Sequence, residues 1–439
     1  MVKGPTQIEM VEISRFSFDN PRFKALLGRQ TQTPLEVLET VSRIIEDVRE
    51  RRDAALFDYM KQYDGVDLSE SGPRVSEEEF EAARERVPEG FPQAVEQACA
   101  NLLKFHQHQL QKSFRVEYPD GVLLERRVKP IDRVGITVPS GAAPLASSLY
   151  MNLVPAMVAG VPEIYIICAP REGSVHPAIL HTAEYLGVKT LYRISGAQGI
   201  AALAFGTESV QAVDKIVGPG NIYVQTAKKF LFGTVGIDSL AGPSEIVILA
   251  DGSANPEYAA ADLLSQSEHG TGLEAAIVLS PSRQLLEQVQ AHVQGFLRDP
   301  MLRRRCSPAL EKFGNLFLVE SMTEAVDAAN AIAPEHVELL CRNAERLADR
   351  IVNAGAIFVG ESSPEPVGDY FCGTNHVLPT GGTARFSSGL GVADFLRSYS
   401  VVHYSGPALQ RHRSTMLALI RPEEMRAHML SLQVRGKSS

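Results

Sequence analysis

Short motifs that would classify an enzyme at sight are absent from this 439-residue sequence. No predicted strand leads into G-x-G-x-x-G, the glycine pattern by which many proteins bind dinucleotides. There is neither an H-E-x-x-H zinc pattern nor a Walker phosphate loop. These absences exclude an assignment from a single motif, so the function has to be inferred from longer patterns.

Cysteine and long apolar runs are also scarce. The five cysteines are scattered without any C-x-x-C pair, which is typical of reduced thiols in a cytosolic protein. The sequence starts without the apolar run of a signal peptide. Its most apolar window, 151–170, contains Pro155, Pro162 and Glu163 and does not predict a simple membrane span. We expect a soluble cytoplasmic protein with no membrane partner.

Positive charge is in deficit: the sequence has 43 lysines and arginines against 52 aspartates and glutamates, which gives a formal net charge of −9. Nucleic-acid phosphates require a basic footprint, so we expect no nucleic-acid partner. The length predicts two or three domains with a large core, since single domains usually span roughly 50–250 residues.

Alternating apolar runs and amphipathic patterns predict the secondary structure. Residues 34–112 carry apolar side chains at helical spacing, so this section is predicted to be mainly helical. From residue 134 onward, strands alternate with helices in two consecutive series. The predicted strands are 134–138, 163–168, 190–194, 215–217, 245–250, 275–279, 315–318 and 356–359. The predicted helices are 147–159, 176–186, 197–205, 221–231, 256–268, 283–297, 322–332 and 344–352.

This alternation predicts an α/β protein with two doubly wound, incomplete Rossmann-like parallel-sheet domains. An N-terminal segment, 1–33, precedes them. Residues 34–136 and 245–390 are assigned to one discontinuous domain, and residues 137–244 to the other. The last section, 391–439, loses the strand–helix rhythm and has a largely helical composition. A short terminal section without its own core commonly docks on another domain or subunit.

Glycine-rich turns follow three strands of the first predicted series. They are P-S-G-A-A-P at 139–144, S-G-A-Q at 195–198 and G-P-G-N at 218–221. Backbone N–H groups at the carboxyl ends of parallel strands are typical of a ligand crevice. One such turn usually reflects tight packing alone, but three in one sheet favour a cofactor crevice.

The sequence Ala333-Pro334-Glu335-His336 places a carboxylate beside an imidazole. Pro334 biases Ala333 toward extended geometry and suits the start of a helix or turn, so Glu335 and His336 are predicted to leave the backbone in different directions. Two proton-transfer side chains that point in different directions suit an enzyme that moves protons in more than one step. On the dipeptide alone, an ordinary pair of surface residues stays open as the alternative.

Four further residues carry the mixed nitrogen and oxygen donors of a zinc site. Gln266 and His269 are three apart and share one helical face, Asp369 follows a predicted strand, and His428 lies in the terminal section. A capped and solvated helix end is the alternative for the first two. Cys372 is a separate candidate, as a thiolate nucleophile, but nothing near it in sequence is placed to activate it.

These patterns together resemble the histidinol dehydrogenase family over about residues 35–430. The matching runs are 138–139, 195–203, 215–228, 237–250, 261–269, 333–339 and 368–386. The most specific run is N-H-V-L-P-T-G-G-T-A-R-F at 375–386. The sequence departs from the family at Thr137, where a cofactor-contacting tyrosine is frequent, and at Gly270, where an aspartate commonly follows the zinc histidine.

The resemblance implies the last step of histidine biosynthesis, the oxidation of L-histidinol to L-histidine through L-histidinaldehyde with two NAD+ in succession. Glu335 and His336 match the family's acid–base pair: His336 would take the alcohol proton, and Glu335 would activate water against the aldehyde. Gln198 and Asn221 match its cofactor contacts, which makes 137–244 the NAD-binding domain.

The resemblance also implies one zinc ion per subunit, which orients the substrate's imidazole and amino groups. The matching zinc ligands are Gln266, His269, Asp369 and His428. The matching substrate contacts are Ser244, Gln266, His269, His336, Asp369, Glu423 and His428. The family is a homodimer with an intertwined C-terminal section, so 391–439 is expected to be a dimerisation tail that brings Glu423 and His428 into the active site of the other subunit.

Three other interpretations stay open. A paralogue of the same fold would oxidise another polar alcohol, such as a sulfonated diol, although the presence of Ser244, Glu423 and His428 favours histidinol. A zinc hydrolase would also use a glutamate–histidine pair beside the metal, but it would not require three glycine-rich turns. A noncatalytic binding protein is the third interpretation.

Overall fold

The computed structural model describes residues 11–29, 33–140, 143–171, 173–188 and 190–435. Residues 141 and 142 of the first predicted glycine-rich turn lie outside this range. In the described part the α/β class is confirmed: the strands form a six-stranded sheet, a five-stranded sheet and a three-stranded sheet. No helix in that part is both long enough and apolar enough to cross a membrane.

The strands, in chain order, are β1 (Ile13–Arg15), β2 (Phe114–Glu117), β3 (Val122–Pro130), β4 (Arg133–Val138), β5 (Glu163–Cys168), β6 (Leu191–Tyr192), β7 (Lys215–Val217), β8 (Gly236–Ile237), β9 (Glu245–Ala250), β10 (Ala275–Ser280), β11 (Gly314–Leu318), β12 (His336–Leu340), β13 (Ala356–Val359) and β14 (Leu396–Tyr404). The α-helices are α1 (Pro21–Leu27), α2 (Leu35–Arg51), α3 (Asp53–Tyr59), α4 (Glu77–Arg84), α5 (Phe91–His106), α6 (Ala146–Ala159), α7 (Pro177–Tyr185), α8 (Gly196–Phe205), α9 (Ile222–Leu231), α10 (Pro256–Ser267), α11 (Arg283–Phe296), α12 (Pro300–Phe313), α13 (Met322–Ile332), α14 (Ala344–Ala348), α15 (Glu365–Tyr370), α16 (Gly406–Ile420) and α17 (Arg426–Val434). Single turns of other helix types lie at Met60–Asp64, Gln107–Gln109, Thr383–Arg385, Val392–Phe395 and Arg421–Glu423.

The two large sheets are parallel throughout. The five-stranded sheet has the order β6-β5-β4-β7-β8, and the six-stranded sheet has the order β1-β11-β10-β9-β12-β13. Strands β9 and β10 are buried at every position, as expected for parallel strands with helices on both faces. Both predicted strand–helix series are therefore confirmed as sheets.

The predicted grouping of 34–136 with 245–390 is wrong. Helix α2 packs on α8 and α9, α4 packs on α7, and α5 packs on α6, so this section joins the five-stranded sheet. It is the N-terminal segment that belongs with the six-stranded sheet: β1 pairs with β11, and the ring of Phe23 contacts Phe317. An amphipathic pattern shows that a helix has a buried face, but not which sheet covers it.

The three-stranded sheet was not predicted from the sequence. It is antiparallel, with the order β14-β3-β2, and β14 pairs with β3 over nine residues. Strand β2 has the alternating sequence F-R-V-E, but all four of its residues are exposed and it spans only four positions, too short a pattern to identify a strand with certainty. Beyond this sheet, α16 and α17 pack on each other, and among their side chains Leu419, Leu430 and Val434 are exposed.

Candidate active site

The candidate site lies where the carboxyl ends of one sheet face the amino ends of the other. A cavity of about 850 Å³ is lined by Thr137 and Val138 at the end of β4 and by His269 and Asp369 from the other domain. A second cavity of about 140 Å³ shares His269 and Asp369 and reaches Ser244, Glu335 and His336, which stand at the starts of β9 and β12. Two of the glycine-rich turns, at 195–198 and 218–221, and the Glu335–His336 pair are thus brought to adjoining cavities.

The backbone before the acid–base pair differs from the prediction. Ala333 ends α13 in the left-handed conformation, with φ 51° and ψ 61°, and its N–H donates to the Ala329 carbonyl at 2.8 Å. The expectation of an extended Ala333 is therefore wrong, because closing the helix outweighs the bias from Pro334. The chain then enters β12, not a helix.

Glu335 and His336 are both buried, with 6% and 2% of their surface exposed, which excludes an ordinary surface pair. The Glu335 Oε2 atom accepts a hydrogen bond from the Glu245 N–H at 3.0 Å. The His336 Nδ1 atom lies 3.1 Å from the Glu245 carbonyl oxygen, and since a carbonyl only accepts, Nδ1 carries the proton. The other nitrogen, Nε2, faces Asp369 Oδ1 at 3.6 Å and has no hydrogen-bond partner among the described residues.

The protein environment shifts the pKa values of both Glu335 and His336. Burial raises the pKa of Glu335 to about 7, and the carboxylates of Glu245 and Asp369 act in the same direction while His336 opposes them. Burial would lower the pKa of His336, but the carboxylates of Glu335 and Asp369 outweigh it and raise that pKa to about 10. The site therefore holds a carboxyl that changes charge near neutral pH beside a strongly basic imidazole.

The structure brings two of the four predicted zinc ligands, His269 and Asp369, to the same two cavities, while Gln266 lines neither of them. Gln266 is buried near the end of α10, and neither polar atom of its amide has a hydrogen-bond partner in the described residues. His269 lies just beyond the helix, where its Nδ1 bonds the Gln266 carbonyl at 3.1 Å, and it lines both cavities with Asp369. A buried amide without a partner is costly, and its oxygen is a donor of the kind that a metal ion accepts. A solvated helix end is excluded for Gln266.

Sequence reasoning missed several polar groups of the same cleft. Among the described residues, His336, Glu365 and Asp369 form a cluster whose ligand-type atoms lie within 4.8 Å of one another. Burial, together with Asp369, raises the pKa of Glu365 to about 9. His376 Nδ1 bonds the Asp369 carbonyl oxygen at 3.0 Å. The spacing of Glu365 and Asp369, one helical turn apart on α15, was the available sign.

The predicted cofactor residues have different positions. Asn221 lines the large cavity and begins α9, where its side-chain oxygen accepts from the N–H groups of Tyr223 and Val224, each at 3.1 Å. Gln198 is buried within α8, lines neither cavity, and points its Nε2 toward Asp64 Oδ2 at 3.4 Å.

The turn at 218–221 is held close to the strand beside it. Gly218 has φ +107°, and a Cβ there would lie 2.4 Å from the Thr137 carbonyl oxygen, so only glycine fits. Thr137, one of the departures from the family, is buried and lines the large cavity.

Three remaining candidates lie away from the cleft of this chain. Glu423 and His428 are exposed and line neither cavity, and so the single chain does not bring them to the site. Cys372 is also exposed and lines neither cavity, and its sulfur lies 3.1 Å from Thr374 Oγ1. The structure gives no support to a thiolate nucleophile at this position.

Two parallel-sheet domains that enclose a buried acid–base pair beside metal-type donors define a two-domain α/β enzyme. The sequence profile described as histidinol dehydrogenase matches residues 27–436. The chain belongs to the histidinol dehydrogenase family, which confirms the resemblance seen in its motifs.

Individual relatives cover almost the whole chain. Histidinol dehydrogenase of Halalkalibacterium halodurans is 48% identical over 396 residues, which are 90% of this chain and 93% of that protein. The Bacillus subtilis histidinol dehydrogenase is 44% identical over 403 residues, 92% of this chain and 94% of its own length. The crystal structure of histidinol dehydrogenase from Elizabethkingia anophelis superposes with a TM-score of 0.89 at 36% identity, covering 97% of this chain and 98% of that one.

Proposed function

We propose that this chain oxidises L-histidinol to L-histidine through L-histidinaldehyde, with two NAD+ consumed in succession, as the last step of histidine biosynthesis. One observation carries the proposal: the buried Glu335–His336 pair opens on the same small cavity as His269 and Asp369. The names of relatives that are 41–48% identical support the same activity.

The residues present fit one zinc ion per subunit and a dinucleotide. Gln266, His269 and Asp369 would hold the metal, and Asn221 with the glycine turns of the large cavity would hold NAD. When bound, zinc supplies a fixed positive charge that orients the substrate, and NAD+ supplies the hydride acceptor. Gln198 does not line that cavity, but it belongs to the turn at 195–198, whose Ser195 and Gly196 do. It would contribute to the cofactor site through this turn.

In the alcohol step, His336 accepts the hydroxyl proton at Nε2. Its Nδ1–H is held on the Glu245 carbonyl, so the ring presents the Nε2 lone pair to the cavity. Only the neutral form of His336 can accept this proton. A metal cation held by Asp369 would counter the carboxylate charge that raises the pKa of His336 and would so favour the neutral form. Ser244, at the cavity wall, would contact the substrate.

In the aldehyde step, Glu335 acts on water. Its carboxylate takes one proton as the water oxygen adds to the aldehyde carbon, and the carbonyl oxygen becomes an alkoxide, so the product is the hydrate anion from which the second hydride leaves. The Glu245 N–H holds Oε2 of this carboxylate and thereby sets its direction. No thiol is needed, in agreement with the position of Cys372.

A homodimer with shared active sites completes the proposal. Glu423 and His428 of the partner subunit would enter the cleft as a substrate contact and the fourth zinc ligand. The exposed apolar side chains of α16 and α17 support an interface on residues 391–439, since such a surface is otherwise costly. We place the enzyme in the cytoplasm, supported by its five unpaired cysteines.

The test is NADH release from purified, zinc-loaded protein supplied with L-histidinol. We expect about two NADH per substrate, as a four-electron oxidation requires. With L-histidinaldehyde as substrate, Glu335→Gln should lose far more rate than it does in the alcohol step. Inertness toward L-histidinol, with activity on another polar alcohol, would refute the proposal in favour of a paralogue.

A further inference from the structure

Glu245 is a buried carboxylate that no part of the mechanism above uses. It is the first residue of β9 and is 2% exposed. Its Oε1 atom accepts hydrogen bonds from Arg29 Nε at 3.0 Å and from the Gly381 N–H at 2.7 Å. Its Oε2 atom accepts from the Glu335 N–H at 3.2 Å. One side chain therefore joins the N-terminal segment, the loop at 375–386 and the acid–base pair.

The main chain of the same residue holds both proton carriers. The Glu245 N–H donates to Glu335 Oε2 at 3.0 Å, and the Glu245 carbonyl oxygen lies 3.1 Å from His336 Nδ1. Glu245 and Glu335 thus bind each other reciprocally, each side chain on the other's N–H. This pair of hydrogen bonds fixes both the Glu335 backbone and the direction of the Glu335 carboxylate.

Arg29 places a positive charge against the Glu245 carboxyl group inside the protein. The two side chains are 7% and 3% exposed, and Arg29 Nη2 lies 2.5 Å from Glu245 Oε1. A buried carboxylate is strongly unfavourable without a partner, and a planar guanidinium suits it better than an ammonium ion. The pair links the N-terminal segment of the six-stranded domain directly to the starts of β9 and β12.

We infer that the Arg29–Glu245 pair is a positioning device that holds Glu335 and His336 in their working geometry. The inference rests on the proposed function, since it concerns the aim of these two groups. Neither member of the pair lines the small cavity, so both are positioning residues and not catalytic ones. Loss of the pair would free the Glu335 backbone, and a displacement of about 1 Å in a reacting group can cost roughly 100-fold in rate.

A general structural role predicts a different outcome from a positioning role. The ladder between β9 and β12 continues from His336 opposite Ile246 to Leu340 opposite Ala250, and a side-chain change at Glu245 leaves it in place. A positioning role therefore predicts a loss of kcat without loss of substrate binding or zinc. A purely structural role predicts a lower unfolding midpoint, with kcat of the remaining folded enzyme unchanged.

The experiment compares Glu245→Gln, Arg29→Lys and Arg29→Met in the zinc-loaded full chain. Glu79→Gln is the matched control, because Glu79 pairs with the largely buried Arg193 in the other domain. We expect Glu245→Gln and Arg29→Met to lower kcat for aldehyde oxidation by about 100-fold. KM for L-histidinaldehyde and the content of bound zinc should stay at wild-type values. Arg29→Lys, which keeps the charge, should retain more activity than Arg29→Met.

Two outcomes overturn the inference. If Glu245→Gln keeps the kcat of Glu79→Gln, or if its loss appears only in KM and zinc content, the pair does not position the proton carriers. Should Glu245→Gln fail to fold, the comparison of Arg29→Lys with Arg29→Met decides, and equal kcat in these two is the refuting result.

Failure of the proposed function itself is separately visible. It would appear as wild-type activity in Glu335→Gln and His336→Asn, or as no NADH from L-histidinol with the wild-type enzyme.

Discussion

Replacement of Lys228 by methionine tests how the glycine-rich turn at 218–221 is held. Lys228 lies on α9 and is fully buried, and its Nζ donates to the Gly218 carbonyl at 2.9 Å and to Asp238 Oδ1 at 2.5 Å. Asp238 Oδ2 in turn accepts the Gly218 N–H at 2.7 Å. The ion pair therefore ties down both polar groups of Gly218, the first residue of the turn at 218–221.

The expected loss of unfolding free energy follows from the buried Asp238 carboxylate that Lys228→Met leaves without a counterion. The methionine fills similar space, but the Asp238 carboxylate, 4% exposed, loses its counterion. Removal of one partner of a buried ion pair typically costs about 3–5 kcal/mol of unfolding free energy. The double variant Lys228→Met with Asp238→Asn removes the bare charge and keeps an acceptor for the Gly218 N–H. We expect it to recover at least about 2 kcal/mol, since a neutral replacement of a buried pair is often tolerated.

The assay is urea unfolding followed by circular dichroism, because the chain contains no tryptophan. Lys229→Met, at the exposed neighbouring position, is the control and should change the unfolding free energy by no more than about 0.5 kcal/mol. NADH titration provides a second readout, in which Lys228→Met should weaken binding more than the control. A cost below about 1 kcal/mol for Lys228→Met, or a double variant no better than the single one, would refute the reasoning.

Three further predictions concern the active site and the assembly. Burial raises the pKa of Glu335 to about 7, and only the carboxylate can accept a proton. The rate of aldehyde oxidation should therefore rise about tenfold from about pH 6 to about pH 8. A flat pH profile would contradict the role of Glu335. Chelation of the proposed metal should remove most turnover with little change in circular dichroism. Gln266, His269 and Asp369 lie at or beyond the ends of helices, so the metal does not hold the core of the fold together. Loss of the fold on chelation would contradict this. Deletion of 406–439, which leaves β14 intact, should abolish dimerisation in light scattering together with activity, and an active monomer would exclude the shared site.

Much of the secondary structure was predictable because it depends on neighbours along the chain. The strands at 163–168, 215–217, 245–250 and 356–359 have the predicted bounds. Each is a short apolar run that ends beside glycine, proline or polar residues, a pattern set by local sequence. Strand β12 escaped prediction although all its residues are buried, because it begins at the site residue His336 and includes the buried Glu338.

The site was only partly predictable. Glu335, His336, Gln266, His269 and Asp369 were all named from the sequence, and the structure places them around one pair of adjoining cavities or buried beside them. Their roles stay predictions, as do those of the residues expected from the partner subunit. Glu245 and Arg29 were not found, because their contact spans 216 positions of sequence. Glu365 was missed although its spacing from Asp369, one helical turn apart, was visible.

The sequence by itself determined the family, the two strand–helix series and the residues able to carry protons or bind a metal. Those properties reside in residue types and short spacings, which are visible without coordinates. Only the tertiary structure decided which helices cover which sheet, that Ala333 is left-handed, and that Glu245 bonds both Arg29 and Glu335. Such features arise from burial and hydrogen bonding between distant segments, where the free energy of packing outweighs local conformational preference.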